Sequence, residues 1–208
     1  MIDCNSAARM ADIIDQLLDF TRSRLGGGIS VTRKDIELND VCRRIIDELE
    51  LVHPGRSIVL NAAPAVRGEW DPARLAQALS NVVGNALRHG SQTRPITVST
   101  SAAAGDAVVN IHNEGEPIPA EFMPQLFDPF RRGRSDGIAA SRNAGLGLGL
   151  FIAQQIIRAH DGEIAVSSSA DAGTTVSIRL PLQPSASPSS NEKPAGNQVP
   201  CATALLVS

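Results

Sequence analysis

A chain of 208 residues with a 42 % hydrophobic fraction can build one well-buried core and a small appendage. Its net charge of −3, with five Phe, one Trp and no Tyr, excludes bulk attraction to nucleic acid or anionic membrane and leaves little to stack single-stranded bases. Cys4, Cys42 and Cys201 have no zinc-ligand spacing and fit a reducing compartment, and no run reaches the ~18 apolar residues of a bilayer span.

The N-terminus carries Asp3 and Asp12 and no basic stretch before an apolar run, so a signal peptide is not expected and a cytoplasmic location is. Met10, Ile13, Ile14, Leu17, Leu18 and Leu25 recur at helical spacing, which predicts an amphipathic helix over 6–25, closed by Gly26–Gly27–Gly28. A lone stripe of this kind must pack on the domain behind it, on a second chain, or on both. Residues 29–38 lead into a strand. Asn39 is the expected N-cap of a helix to about Leu51, with Val41, Ile45, Ile46 and Leu49 inward. His53–Pro54–Gly55 is a turn, and Ile58–Val59–Leu60 centres a short strand. Asp71 then caps a helix with Pro72 in its first turn, running to about His89 and burying Leu75, Ala78, Leu79, Val82, Val83 and Ala86. Strands are predicted over Ile96–Thr100 and Ala107–Ile111, joined by a Gly105–Asp106 turn. Thirty mostly irregular residues follow, then a helix over 147–160, an Asp161–Gly162 turn and a closing hairpin, Glu163–Ser168 with Thr174–Leu180. From Pro184 onward Pro, Ser, Asn and Gly dominate, the composition of a disordered tail. The sum is an α+β fold, a two-layer sandwich of about three helices over about five strands, with an N-terminal helical extension.

Three polar constellations carry the chemistry. Asn81, Asn85 and Arg88 share one face of their helix, with His89 beside them. Asn is a poor helix former, and amide oxygens suit Mg²⁺, which keeps several waters and takes few protein ligands. A solvated helix face accounts for the same residues taken alone. Asn113–Glu114–Gly115–Glu116–Pro117–Ile118–Pro119 follows a strand; Gly115 permits close ligand approach and Asn113 can present an amide to a base edge, although an ordinary strand-ending turn explains this segment as well. Finally Gly145–Leu146–Gly147–Leu148–Gly149–Leu150 enters a helix. Its glycines leave backbone N–H groups free for an anion at the positive helix end, and its leucines can anchor the helix in the core; a flexible hinge is the alternative. No Gly-Lys-Ser/Thr follows, so it is not a Walker A loop.

Taken in this order, the segments resemble the motifs of sensor histidine kinases. Asn81–Val82–Val83–Gly84–Asn85–Ala86 is similar to the N box, Asn113 to Pro119 to the G1 box, Phe127–Asp128–Pro129–Phe130 to the F box and Gly145 to Leu150 to the G2 box. The resemblance covers roughly residues 35–182, the Bergerat-type ATP-binding domain. Leu17–Leu18–Asp19–Phe20–Thr21–Arg22 resembles the second helix of the dimerisation and phosphoacceptor hairpin. It implies ATP and Mg²⁺ as ligands, with Asn85 on the metal and Asn81, Asn85 and Arg88 as the catalytic positions. Arg88 and His89 would contact phosphate or ribose. Asn113, Gly115, Ile118 and Thr174 would serve the base, Phe127, Phe130 and Arg132 the lid, and Gly145, Leu146, Gly147, Leu148 and Gly149 the phosphates.

There are departures. The base-reading position usually holds Asp; an Asn113 oxygen can still accept from the adenine amino group. Pro117 replaces a second glycine and stiffens its loop. None of His53, His89, His112 and His160 follows the acceptor pattern His–acidic–x–Arg–x–Pro, so the phosphoacceptor helix is expected to be missing and the nucleophile to come from elsewhere. The implied organisation is 1–28, a partial dimerisation helix; 29–182, the ATP-binding domain; and 183–208, the tail. Implied partners are an acceptor histidine domain, a response regulator and a second copy through 6–25, within a parent that can be membrane-anchored. Two other readings stand beside this one. In a serine kinase or ATPase of the same fold, the position of Asn81 usually holds Glu as a base, and an amide cannot accept that proton. The other is a catalytically silent ATP-binding or dimerising module.

Overall fold

The computed structural model describes residues 14, 16–21, 28–131 and 146–183. Residues 16–21 are helical; the remainder of the helix expected over 6–25, and the tail from 184, lie outside the described residues. The elements that follow are β1 (Lys34–Glu37), α1 (Leu38–Val52), β2 (Ile58–Asn61), β3 (Arg67–Trp70), α2 (Pro72–His89), β4 (Ile96–Ala103), β5 (Asp106–Asn113), a 3-10 turn (Met123–Gln125), α3 (Gly149–Ala159), β6 (Glu163–Ser169) and β7 (Gly173–Pro181). Among the described residues no helix is long and apolar enough to cross a membrane.

Five strands form one sheet in the order β2-β4-β5-β7-β6, with β2 parallel to β4 and every other pair antiparallel. Side chains alternate along β5: Ala107, Val109, Ile111 and Asn113 are buried while Asp106, Val108, Asn110 and His112 are not. One face therefore packs under the helices and the other is polar. On that polar face the Ser177 hydroxyl donates to Asn110 Oδ1 at 2.7 Å, and His112 Nδ1 lies 3.0 Å from Thr175 Oγ1. The core runs between Val98, Val109, Ile111 and Ile178 of the sheet and Ile45, Leu75, Leu79, Val82, Ile152 and Ile156 of the helices. This is the expected two-layer α+β sandwich.

Two local expectations are corrected. Asn39 is not an N-cap: α1 starts at Leu38, and the cap is Glu37, whose Oε1 accepts from Asn39 N at 3.3 Å and from Val66 N at 2.8 Å. Asn39 is instead buried, donating to Ala63 O at 3.0 Å and accepting from the Thr100 hydroxyl at 2.7 Å. The β4–β5 turn is Ala104–Gly105, one residue earlier than expected, with φ of 53° and 88°, the paired positive values a two-residue hairpin loop needs. Strand β3 had no counterpart in the sequence reading. It pairs antiparallel with β1 and carries Trp70, fully buried, whose ring lies over Gly68 and whose Nε1 donates to Pro181 O at 2.9 Å.

Helix α2 is set by its first turn. Asp71 Oδ1 accepts from Ala73 N and Arg74 N at 3.0 and 3.1 Å, and Oδ2 accepts from Thr32 N at 2.8 Å. Burial alone pushes this carboxyl up, but the three N–H donors outweigh it and hold it below the ordinary value. Asp71 N in turn donates to His160 Nε2 at 3.0 Å, while His160 Nδ1 lies 2.8 Å from Ile156 O. A nitrogen that accepts cannot carry a proton, so His160 is neutral with its proton on Nδ1. Burial pushes its pKa down, reinforced by Arg33 and opposed by the Ile156 carbonyl, Asp71 and Asp161.

The folded His160 therefore binds a proton less readily than the unfolded one. Its contribution to stability is complete above the ordinary histidine pKa of about 6.5 and is lost as pH falls through the lower folded value. Chemical denaturation of the wild type between pH 8 and 5 is expected to show stability falling below pH ~6.5, and His160→Gln is expected to flatten that slope. An unchanged slope in the variant would assign the loss to other groups.

Candidate nucleotide site

The two helices facing the sheet centre run antiparallel. Asp71, at the N-terminus of α2, meets His160, at the C-terminus of α3. Ten residues further along α2, and eleven back along α3, a Cβ placed on Gly149 would stand 3.3 Å from Asn81 Oδ1. At 1.5 Å per residue the two intervals match to within about 2 Å, so the capping contact at one end places the asparagine against the glycine at the other. Helix α2 has 18 residues and α3 has 11, and α2 continues past this point. Eight more residues carry it about 12 Å further, to His89. The overhang bears Gly84, Asn85, Arg88 and His89, and a Cβ on Gly84 would meet nothing within 4 Å. Glycine costs helix stability, and this one stands in open space on the polar face.

The glycine stretch is held from behind. Leu148 is fully buried, accepts from Ile152 N at 2.8 Å and anchors the start of α3, with no side-chain cap on that terminus. The first-turn N–H groups are thus left for a ligand or solvent. Gly147 has φ 72°, and a Cβ there would stand 2.7 Å from Arg131 O. Its own carbonyl accepts from Phe130 N at 3.1 Å, and Phe130 is itself at φ 62° and half exposed. Leu146 and Leu150 pack partly against the core. Asn81 Nδ2 is buried and has no partner, a costly state for a donor unless a ligand acceptor meets it.

The far end of α2 is stitched to the turn after β5. Gly90 and Gly115 form an isolated bridge, Ser91 N donates to Glu114 O, and a Cβ on Gly115 would stand 3.0 Å from His89 O. Asn113 is buried against Gly90, its amide 3.4 Å from Glu114 O. Thr174, paired with Asn113 across the sheet, is buried and shares a 2.7 Å hydroxyl contact with Ser168, whose Oγ accepts from Ile118 N at 2.9 Å. Ser168 was not singled out from the sequence; a serine in a run of serines on an edge strand carries no signal of its own. His89 is pushed below its ordinary pKa by desolvation and by Arg88. Arg88 and His89 are both exposed.

The structure thus brings Asn81 to Gly149, and Asn113, Gly115 and Thr174 to the His89 end of the same helix. Arg132 and Gly145 lie outside the described residues. A cavity of about 430 Å³ lined by His112, Glu114, Gly115 and Ala170–Gly173 opens beside the turn and contains neither Asn81 nor Asn85. Cys42 is buried, its thiol pushed up to about 12 by burial against a small pull from Arg43, so it is an inert core residue.

A helical layer over one sheet face, with a polar helix overhanging a glycine-rich helix start, defines an ATP-binding α+β sandwich. Residues 70–184 match the model of the histidine kinase-, DNA gyrase B- and HSP90-like ATPases, and the chain belongs to that family. It is 34 % identical over 178 residues to a bacteriophytochrome of Pseudomonas aeruginosa, covering 86 % of this chain and 24 % of the relative. It is 32 % identical to the signal transduction histidine-protein kinase AfsQ2 of Streptomyces coelicolor, covering 85 % and 31 %. The chain spans about a quarter to a third of the length of these relatives. The fold is similar to that of full-length ShkA, solved in complex with AMPPNP, with a TM-score of 0.72 at 21 % identity over 88 % of this chain and 38 % of that one.

The open space at Gly84 yields a test with two opposite signs. Gly84→Ala is expected to stabilise the ligand-free fold by about 0.5–1 kcal/mol, by removing a helix-interior glycine. The same methyl is expected to weaken nucleotide binding several-fold. Thermal melts and calorimetric titration on one preparation check both; unchanged affinity would place the ligand elsewhere.

Proposed function

We propose that this chain is the ATP-binding catalytic part of a two-component sensor histidine kinase, holding Mg·ATP along the overhang of α2 and presenting the γ-phosphoryl group to a histidine on a partner helix. The observation that carries this reading is the buried, partnerless Asn81 amide beside the uncapped start of α3. Both are donors, the amide buried and the helix start uncapped, and an anion between them would satisfy both.

Each residue then has a role. Asn81 donates to a phosphate oxygen, together with the backbone N–H groups of Gly147 to Gly149. Arg88 adds positive charge and His89 a hydrogen bond, while Asn113, Gly115, Ile118 and Thr174 surround the base. Among the described residues no three of His, Cys, Asp and Glu converge on a cation position. An Mg²⁺ ion would rest on the Asn85 amide oxygen, phosphate and water, a set that suits this ion. When bound, it neutralises charge on the transferring phosphate. The chain's own contribution is positioning and electrostatic preorganisation. Asn81, an amide, cannot take a proton from water or a serine hydroxyl, which supports the histidine kinase reading over the serine kinase or ATPase.

In this proposal residues 1–28 supply part of a dimerisation helix, with Ile14, Leu17 and Leu18 exposed, and 29–182 form the catalytic domain. The acceptor histidine, a response regulator and a second copy are the partners, and ATP and Mg²⁺ place the site on the cytoplasmic side.

Calorimetric titration is expected to give micromolar Mg·ATP binding, about −8 kcal/mol. Asn85→Ala is expected to weaken the magnesium-dependent part by about tenfold or more, ~1.4 kcal/mol, without lowering the thermal melt. With labelled ATP the 208-residue chain alone is expected to remain unlabelled and to phosphorylate a separate hairpin carrying a His–acidic–x–Arg–x–Pro motif. Acid-labile phosphate on the chain itself would refute the need for an outside acceptor.

A further inference from the structure

Two adjacent side chains join the helical residues 16–21 to the rest of the molecule. Asp19 is 4 % exposed, and both of its oxygens accept from Arg74 Nη1 at 3.0 Å. Its Oδ2 also accepts from Gln77 Nε2 at 2.8 Å, and Arg74 Nη1 reaches Gln77 Oε1 at 2.9 Å. The carboxylate is therefore paired and hydrogen-bonded, the condition under which a charge is buried. Phe20 stands edge-on to Phe130, centroids 5.0 Å apart, and to Phe151, 5.7 Å apart. Leu17 and Leu18 remain 47 % exposed, so the segment docks by its polar and aromatic side and leaves its apolar side outward.

The two contacts reach opposite ends of one device. Arg74 and Gln77 lie in the first turns of α2, the helix that carries Asn81 and Asn85. Phe130 sits at positive φ and donates its backbone N–H to Gly147 O, and the Gly147 turn leads to the start of α3. Phe151, the third residue of α3, completes the aromatic contact. Phe20 thus packs on a phenylalanine held in a backbone conformation that this residue seldom adopts and bonded to the glycine turn.

We propose that residues 16–21 act as a latch whose seating is thermodynamically coupled to nucleotide binding. Seated, Asp19 fixes the segment on α2, and Phe20 braces Phe130 so that the Gly147 turn is preformed for phosphate. Released, the turn loses its brace and affinity falls. The inference rests on the nucleotide reading of the site. By linkage the effect is reciprocal: nucleotide tightens the latch, and any force that lifts the segment expels nucleotide. Asp19 and Phe20 are positioning residues, acting through Arg74 and Phe130.

The test uses the full 208-residue chain and Mg·ATP. Dissociation constants are measured for wild type, Asp19→Ala, Phe20→Ala, Phe20→Leu and the exchange Asp19→Arg with Arg74→Asp, alongside thermal melts. The single variants are expected to bind about fivefold or more weakly, within the usual range of allosteric coupling, and the exchange to recover much of the loss. Hydrogen exchange at Phe130 and Arg131 is expected to quicken in the single variants, and to slow in the wild type when Mg·ATP is added. Should Asp19→Ala unfold, Phe20→Leu, which keeps apolar burial and loses the edge-on ring, gives the same measurement. Variants that bind as the wild type does, or more tightly, overturn the latch while leaving the nucleotide site standing. A wild type that binds no Mg·ATP removes both.

Discussion

The site depends on the register between two antiparallel helices. Asp71 N–H to His160 Nε2 fixes one end, and every later position follows from the common rise of 1.5 Å per residue. A one-residue slip of α3 along α2 would move Gly149 off Asn81 and rotate it by about 100°, replacing the glycine by a leucine on one side or the other. Either leucine, Leu148 or Leu150, would fill the space that the asparagine amide now occupies. The unequal lengths of the helices then do the rest. Because α3 begins opposite the middle of α2, a free helix start faces a bare polar helix surface, and their meeting forms a corner.

The first turn of α2 is where the other segments also meet. Thr32 of the linker, the end of α3 and the segment 16–21 all bind within a few residues of Asp71. The charges there are arranged as alternating donors and acceptors: Arg33 on Asp161 and Ala159 O, Asp71 on backbone N–H groups, Arg74 on Asp19. Such a hub is expensive to leave half-satisfied, so its members hold or release together. It lies at the N-terminal end of the helix that carries the asparagines, ten residues from Asn81 and clear of it.

Much of this was legible in the sequence because strong periodicity and punctuation coincided. Asp71–Pro72 opens α2, and all six residues expected to be buried are buried, with Leu87 as a seventh. The glycine-rich start of α3 and the closing hairpin were visible for the same reason. Strand β3 was not. In Arg67–Gly68–Glu69–Trp70 the inward positions are a glycine and a tryptophan, and the glycine is there to make room for the indole, which hides the alternation. Asn39 misled because a cap-forming residue stood one position inside a helix already capped by Glu37, and its real partners, Ala63 and Thr100, are 24 and 61 residues away. Ser168 was invisible because its role is to join two distant segments, Ile118 and Thr174, which no local pattern encodes.

Asn113 illustrates how the surroundings select between an amide and a carboxylate. The side chain is 7 % exposed and stands beside the Glu114 carbonyl, toward which it points Nδ2. A carboxylate in that place would set a negative oxygen against the carbonyl oxygen, with no cation among its described contacts, and would bear the desolvation cost of a buried charge. The amide avoids both: one edge donates locally, and the other leaves Oδ1 as an acceptor. On the proposed reading that acceptor meets the exocyclic amino group of the base. On that reading the departure from the usual acid exchanges electrostatic strength for a neutral group compatible with its carbonyl neighbour, and base recognition would rest on hydrogen-bond direction.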